Sequence, residues 1–135
     1  RQPRRSNMKL IDREELKEKL DRRENFKLIM ALDDWQYRAK HIPGSIPVSA
    51  VLGLDMSKLS HQQKEKEIRE GVKNLSTQLG YDDEIVVYCS HQSCAGSVYA
   101  YQALDKAGFK NVRRYAGGIA EWENSGYPME GEMVN

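Results

Sequence analysis

Short apolar runs alternate with amphipathic stretches along the chain, and this alternation predicts strands followed by helices. The clearest run, Phe26–Leu32 (FKLIMAL), is nearly continuous in apolar character, which is typical of a buried central strand. Shorter runs, some with β-branched residues, are Lys9–Ile11, the residues Ile46 and Val48, Glu84–Tyr88 and Val112–Tyr115. Strands separated by helical patterns favour parallel pairing, so we predict an α/β fold of three layers, with helices flanking a mostly parallel central sheet.

Polar capping residues indicate where the predicted helices begin. Asp12, with Glu15 three positions later, predicts a capping box at the start of the first helix. Ser60 is the predicted cap of a long helix that runs to about Leu79 and is ended by Gly80. The other predicted helices run from Asp33 or Asp34 through Tyr37, from about Val98 to just before Gly108, and over Ile119–Asn124 after a Gly117-Gly118 turn.

Composition excludes several classes of protein. A chain of 135 residues fits one domain, which we expect to span residues 9–135, with residues 1–8 as a flexible basic tail or linker. The net charge is +1, from 21 Lys and Arg against 20 Asp and Glu, so nucleic acid is not an expected partner. No run approaches the roughly 18 apolar residues that a membrane helix needs, so a membrane is not an expected partner either.

The chain has two cysteines, Cys89 and Cys94, which lie five positions apart. This pair is too local to cross-link distant parts of a secreted fold, so we expect a cytoplasmic location. The three histidines are widely separated, and one cysteine pair is short of a tetrahedral zinc set. We therefore predict neither a metal nor a cofactor, and the cysteine pair is the candidate site of chemistry.

The cysteine segment, CSHQSCAGS, joins a predicted strand to a predicted helix. Cys89 directly follows the strand, and parallel α/β sheets bind ligands at the carboxyl ends of their strands. Small and polar residues after it can direct backbone N–H groups at an anion, and the helix N-terminus adds positive potential; both lower the pKa of a cysteine. We therefore predict that Cys89 is a nucleophilic thiolate able to carry a persulfide. The predicted anion-binding loop comprises Ser90, His91, Gln92, Ser93, Cys94, Ala95, Gly96 and Ser97.

Alternative interpretations exist for each titratable side chain of this loop. Cys94 could be a resolving thiol that closes a disulfide with Cys89, or it could pack as a small hydrophobe. His91 could supply positive charge or relay a proton, or it could be solvated. Cys89 itself could be an inert buried cysteine at the end of a strand.

Three segments resemble the rhodanese-like domains. HIPGSIP at His41–Pro47 is similar to the turn after that family's second helix, and VVYCSHQSCAGS at Val86–Ser97 to its active-site strand and loop. AGFKNVRRYAGGIAEWENSGYP at Ala107–Pro128 is similar to its closing strand, Gly-Gly turn and helix. The resemblance extends over about Lys9–Pro128 and implies a rhodanese-like sandwich with Cys89 as the persulfide-forming nucleophile.

The resemblance also implies roles for the residues after the cysteine. The backbone amides of Ser90–Cys94 would cradle the anion, and Ser97 would cap the helix and donate to the sulfur. Ser90–Gly96 contains no arginine or lysine, whereas many thiosulfate-using members carry one there. A second cysteine five positions after the first matches a subgroup of the family.

The implied activity is that of a sulfurtransferase. It would move sulfane sulfur from thiosulfate or a persulfide donor to a thiol, cyanide or protein acceptor through a persulfide on Cys89. The expected partners are therefore a small sulfur-containing donor and a thiol or protein acceptor. Two alternatives remain: a redox-sensing Cys89/Cys94 dithiol switch, and a non-catalytic rhodanese-like interaction module, because a fold alone does not fix a function.

Overall fold

The computed structural model describes residues 8–49 and 51–134. Within these ranges, no helix is long and apolar enough to cross a membrane. A 3₁₀ turn, Met56–Lys58, precedes the longest helix. The other elements are α1 Arg13–Asp21, β1 Lys27–Met30, α2 Asp34–Ala39, β2 Ile46–Pro47, α3 His61–Ser76, β3 Glu84–Tyr88, α4 Gly96–Lys106, β4 Asn111–Tyr115 and α5 Gly118–Asn124.

The strands form one sheet in the order β2-β1-β3-β4, and every neighbouring pair is parallel. Met30 lies opposite Tyr88, and Tyr88 lies opposite Tyr115. The carboxyl ends of β1, β3 and β4 therefore meet at one edge of the sheet, where Cys89 leaves β3. The predicted α/β fold with a parallel sheet is confirmed.

Helices cover both faces of this sheet. On one face, α3 and α4 pack in a core that includes Ile29 and Val87. On the other, α1 and α5 pack against Leu28 and Met30. Successive side chains of a strand point to opposite faces, so a strand buried on both faces has a continuous apolar sequence, as in Phe26–Leu32. The predicted three layers are confirmed.

The long helix α3 ends earlier than predicted, at Ser76 instead of about Leu79. The hydroxyls of Ser76 and Thr77 donate to the backbone carbonyls three positions earlier, at 2.7 and 2.9 Å, and such bonds compete with the helical ladder. Gly80 does not take the left-handed conformation expected of a helix-ending glycine. The capping prediction at the other end is confirmed, since Ser60 and Gln63 form a capping box.

The first helix begins as predicted, but its capping box is incomplete. The Asp12 carboxylate accepts a hydrogen bond from the Glu15 N–H at 2.8 Å. The Glu15 carboxylate does not return to the cap, because it binds the Arg113 guanidinium through two hydrogen bonds of 2.6 and 2.7 Å. A contact with distant β4 therefore replaces the local one.

The segment before α1 differs from the prediction. All but the last residue of the predicted tail, residues 1–8, lie outside the described residues. Met8 is buried in the core on the α3–α4 face, so the folded part of the chain includes it. The predicted strand Lys9–Ile11 is reduced to one bridge between Leu10 and Arg114 of β4.

The turn before β2 is fixed to β3 through one buried tyrosine. The Tyr88 hydroxyl accepts a hydrogen bond from the Ile42 N–H at 2.9 Å and lies 2.9 Å from the Ser45 hydroxyl. The His41 ring forms a hydrogen bond with the Tyr37 carbonyl at 2.7 Å. The residue before Cys89 is thus held on the side of the sheet away from α3 and α4.

Two carboxylates at the start of α2 hold the segment that precedes α3. The Asp33 side chain is fully buried, caps α2 by accepting from the Gln36 N–H at 2.7 Å, and also accepts from the Met56 N–H. Asp34 accepts from the Gly53 N–H at 2.8 Å. Both carboxylates thereby satisfy backbone groups of a segment that has little regular structure.

We predict that Asp33→Ala lowers the free energy of unfolding by about 2–3 kcal/mol, because it removes a helix cap and leaves a buried N–H without an acceptor. Asp12→Ala, which removes an exposed cap with one acceptor contact, is the matched control, with an expected loss of about 1 kcal/mol. Urea denaturation followed by circular dichroism measures both. Equal losses in the two variants would contradict the role given to Asp33.

Candidate active site

The Cys89 thiol is buried at the carboxyl edge of the sheet, with 1% of the residue exposed. Its Sγ lies 3.2 Å from the Ser97 hydroxyl and 3.4 Å from the Cys94 carbonyl oxygen. Both cysteines are free thiols. The structure therefore brings together three of the residues singled out in the sequence, Cys89, Cys94 and Ser97.

The start of α5 fixes the backbone of the cysteine loop. The Ile119 N–H donates to the Cys89 carbonyl at 3.0 Å, and the Ala120 N–H donates to the Ser90 carbonyl at 2.8 Å. Gly118 permits this approach, since it has a φ of +63° and a Cβ there would lie 2.4 Å from the Cys89 oxygen. The Gly-Gly turn is thus required by contact with the loop.

The backbone N–H groups of the loop are divided between the two sulfurs, with Ser97 serving as donor to Cys89 and Gly96 and Ser90 as donors to Cys94. Besides the hydroxyl and N–H of Ser97, the neighbours of the Cys89 sulfur are the carbonyl oxygens of Cys94 at 3.4 Å and of His91 at 4.0 Å. The Cys94 sulfur receives hydrogen bonds from the N–H groups of Gly96 and Ser90. Carbonyls favour the protonated thiol and N–H groups favour the thiolate, so this geometry differs from the predicted cradle.

The two thiols interact, and each shifts the pKa of the other. Interaction with the Cys94 thiolate, together with burial, raises the pKa of Cys89 far above its ordinary value. Interaction with the Cys89 thiol, helped by donors from Gly96 and Ser90, lowers the pKa of Cys94 to about 5 against the effect of burial. The two sulfurs therefore share one proton and one negative charge, and the thiolate predicted on Cys89 stays a prediction.

The other predicted loop residues are distributed between solvent and the base of α4. His91, Gln92 and Ser93 are exposed, and Ala95 is half-buried. The His91 side chain is not among the hydrogen-bond partners found for the Cys89 sulfur, which contacts only the His91 carbonyl. The role of His91 as a cation or proton relay stays a prediction.

Ser97 contacts the sulfur as expected, but it does not cap the helix. Ala95 occupies the N-cap position and makes no side-chain capping bond, so α4 begins one residue before Ser97. The helix can start there because Gly96 passes against β1, where a Cβ would lie 2.3 Å from the Ala31 carbonyl oxygen. Ser97 consequently lies in the first turn, with its hydroxyl toward Cys89.

Arg114 of β4, which is 7% exposed, also belongs to the site, although it was not predicted from the sequence. Its Nε donates to the Ser97 hydroxyl at 2.8 Å, and its Nη2 donates to the Gln92 carbonyl at 3.1 Å. The available signal was strand alternation, since Val112 is apolar and Arg114, two positions later, shares its face. The loop lacks a cation of its own, but the neighbouring strand brings one to it.

A cavity of about 320 Å³ opens beside the loop, and Cys94 lines it while buried Cys89 does not. Its walls combine apolar side chains with His61 and Lys64 from the first turn of α3 and with His91 of the cysteine loop. The sequence predicts α3 but not its approach to the cysteine loop. Among residues 8–49 and 51–134, no three His, Cys, Asp or Glu side chains converge to hold a metal ion.

Comparison with known proteins places this site in a family. The family model of the rhodanese-like domain matches residues 12–125, which include the whole cysteine loop. The chain belongs to the rhodanese-like domain family. The resemblance seen in the sequence is therefore confirmed, while membership of the two-cysteine subgroup stays a prediction. No protein of curated function matches the chain.

Solved structures share the fold of this rhodanese-like domain. A rhodanese-like domain from Anabaena is 25% identical, with a TM-score of 0.67 over 92% of this chain and 80% of that one. A Bacillus halodurans protein is 20% identical, with a TM-score of 0.71 over 95% and 80%. A rhodanese-related protein from Thermoplasma volcanium is 21% identical, with a TM-score of 0.62 over 92% and 99%.

We predict that Cys89→Ala raises the pKa of Cys94 above about 5, because the Cys89 thiol contributes most to lowering it. The fraction of Cys94 present as thiolate at pH 6 then falls, and alkylation there slows. Cys89→Ser keeps a hydrogen-bond donor and is the matched control, with a smaller rise. The measurement is the rate of Cys94 alkylation by iodoacetamide against pH, with the site mapped by mass spectrometry. Identical midpoints in the parent and the alanine variant would contradict the coupling of the two thiols.

Proposed function

We propose that this rhodanese-like domain is a sulfurtransferase. It takes sulfane sulfur from thiosulfate or a persulfide donor and carries it as a persulfide on Cys89 to a thiol, cyanide or protein acceptor. The observation that supports this most is the thiol–thiolate pair at the carboxyl edge of the sheet, beside a cavity. We place the reaction in the cytoplasm, where both thiols stay reduced.

In the loading step, the one proton that the two thiols share lies on Cys94, and Cys89 is the thiolate nucleophile. The Cys89 sulfur attacks the sulfane sulfur of the donor, and a new S–S bond forms. The bond between that sulfur and the rest of the donor breaks. The electron pair leaves with sulfite when the donor is thiosulfate, or with a thiolate when it is a persulfide. The sulfite or thiolate product leaves to solvent, and Cys94 keeps its proton until the persulfide has been discharged.

In the transfer step, an acceptor thiolate or cyanide attacks the outer sulfur of the Cys89 persulfide. The bond between the two sulfurs breaks, the acceptor becomes a persulfide or thiocyanate, and Cys89 leaves as a thiolate. Between the steps the outer sulfur is an anion, and the N–H groups that now bind Cys94 offer it a site once the Cys94 thiol is protonated. The same N–H groups would then bind the Cys94 thiolate in one state and the outer sulfur of the persulfide in the other.

The cavity gives the donor a path to the pair. The ammonium group of Lys64 at its wall favours donors with a negative charge, which both thiosulfate and carboxylate-bearing persulfides carry. The apolar side chains of Leu32, Met56 and Ile68 line the same space and suit the organic part of a persulfide. Both donor classes therefore belong in the assay.

We predict that the reduced parent gains one sulfur after incubation with thiosulfate or glutathione persulfide, and that cyanide removes it as thiocyanate. Cys89→Ser loses this gain because the carrier sulfur is missing. Cys94→Ser is the matched control and still loads, since Cys89 is present. Intact-protein mass and a colorimetric thiocyanate assay give the result for all three proteins.

If Cys89→Ser still gained a cyanide-labile sulfur on Cys94, then Cys94 would be the sulfur carrier instead of Cys89. A parent that gains no sulfur from either donor, and whose cysteines resist alkylation near neutral pH, would overturn the enzymatic proposal in favour of an interaction module. Circular dichroism of each variant confirms that the fold is retained.

A redox switch is the second candidate, favoured by the direct interaction of the two thiols and the low pKa of Cys94. Hydrogen peroxide would oxidise the Cys94 thiolate to a sulfenic acid and release hydroxide. The Cys89 thiol would then displace that oxygen, so that a disulfide forms and water leaves. The loop would have to close over a bond between residues five positions apart.

For this second candidate we predict that mild peroxide removes two thiols per chain without an intermolecular product, and that dithiothreitol restores both. Cys89→Ser and Cys94→Ser should each fail to form the disulfide, because each lacks one sulfur. Thiol counting and non-reducing electrophoresis measure the outcome. An unchanged thiol count in the parent would dismiss the switch.

A further inference from the structure

A buried guanidinium lies beside the site without an acidic partner. Arg114 is 7% exposed, and none of the ion pairs found among residues 8–49 and 51–134 includes it. An arginine stays charged at any physiological pH, and taking that charge out of water is costly unless an anion or several acceptors compensate. The acceptors present are neutral: a hydroxyl and a carbonyl.

The contacts of Arg114 lead directly to Cys89. Its Nε–H donates to the Ser97 oxygen at 2.8 Å, so that oxygen already accepts one hydrogen bond. The Ser97 hydroxyl hydrogen is then free to donate to the Cys89 sulfur, which lies 3.2 Å away. A donor aimed at a sulfur stabilises its anionic forms over the neutral thiol.

We propose that Arg114 is a positioning residue for Cys89, which orients the Ser97 hydroxyl toward the sulfur and supplies the positive charge that the cysteine loop lacks. The anionic forms of Cys89, thiolate and persulfide, thereby gain an electrostatic partner. Stabilisation of the persulfide rests on the proposed sulfur transfer, whereas stabilisation of the thiolate does not.

The neighbouring arginine on the same strand, Arg113, has an acidic partner and a structural role. Arg113 forms two hydrogen bonds to the Glu15 carboxylate and one to the Leu10 carbonyl, so acceptors that include an anion already compensate its charge. It points away from the cysteine loop, since successive residues of β4 face opposite sides. Arg113 is therefore a matched control for Arg114.

Other ionisable groups near Cys89 must be separated from the effect of Arg114. Cys94 is the closest, and a Cys94→Ser background removes it. The Tyr88 hydroxyl binds Ile42 and Ser45, and burial raises its pKa. The pKa of Tyr115 is likewise raised, by burial and by its hydrogen bond to Glu121, so neither tyrosine titrates with the thiol.

The test measures alkylation of Cys89 against pH in the Cys94→Ser background. We expect Arg114→Gln to move the midpoint upward by about one pH unit, which slows the reaction at neutral pH about tenfold. Arg114→Lys keeps the charge and should restore part of the rate. Arg113→Gln should leave the midpoint where it is. Ser97→Ala should raise the midpoint as well. Adding Arg114→Gln to Ser97→Ala should raise the midpoint by less than Arg114→Gln raises it alone.

Equal midpoints in Arg114→Gln and Arg113→Gln would overturn the proposal, as would fully additive effects of the Ser97 and Arg114 changes. If Arg114→Gln does not fold, the comparison of Arg114→Lys with the background protein decides, because a shift is still expected when a lysine replaces the two-contact guanidinium. Alkylation needs no sulfur donor, so failure of sulfur loading in every protein would count against the proposed function and leave this result intact.

Discussion

The contact between the start of α5 and the cysteine loop determines the chemistry of the site. Because the carbonyls of Cys89 and Ser90 accept hydrogen bonds from α5, these two peptide groups have a fixed orientation. In a trans peptide the N–H points opposite to the carbonyl, so the Ser90 N–H faces away from α5 and toward the Cys94 sulfur. A glycine at 118 makes this docking possible, and the docking in turn orients an N–H donor toward the pair of thiols.

The site stabilises negative charge with groups drawn from several parts of the chain. Backbone N–H groups donate to the Cys94 sulfur, and the Ser97 hydroxyl lies within hydrogen-bond distance of the Cys89 sulfur. The Arg114 guanidinium of β4 donates to that hydroxyl. These donors compensate for the absence of a basic residue between Ser90 and Gly96. One negative charge shared by two sulfurs also keeps the reduced pair from carrying two adjacent anions, which would repel each other strongly when buried.

The parts of this architecture that depend on local pattern could be predicted from the sequence. The central strand within Phe26–Leu32, the strand before Cys89 and the final helix all follow from apolar periodicity and turn residues. The ionisation of the thiols could not be predicted, because it depends on the direction of individual peptide groups. Arg114 was missed for a related reason: its partner Ser97 is 17 positions away, on another element. The capping box at Glu15 is incomplete for the same reason, because Glu15 binds distant Arg113 instead of the nearby helix cap.

The wall of the cavity is attached to the fold in a way that leaves its side chains free to change. Asp33 holds it through the N–H group of Met56, and every residue except proline can provide such a group. This hydrogen bond therefore does not depend on the identity of most side chains on the wall. Over evolutionary time, this segment could acquire new donor preferences by substitution while the sheet and the cysteine loop stayed constant.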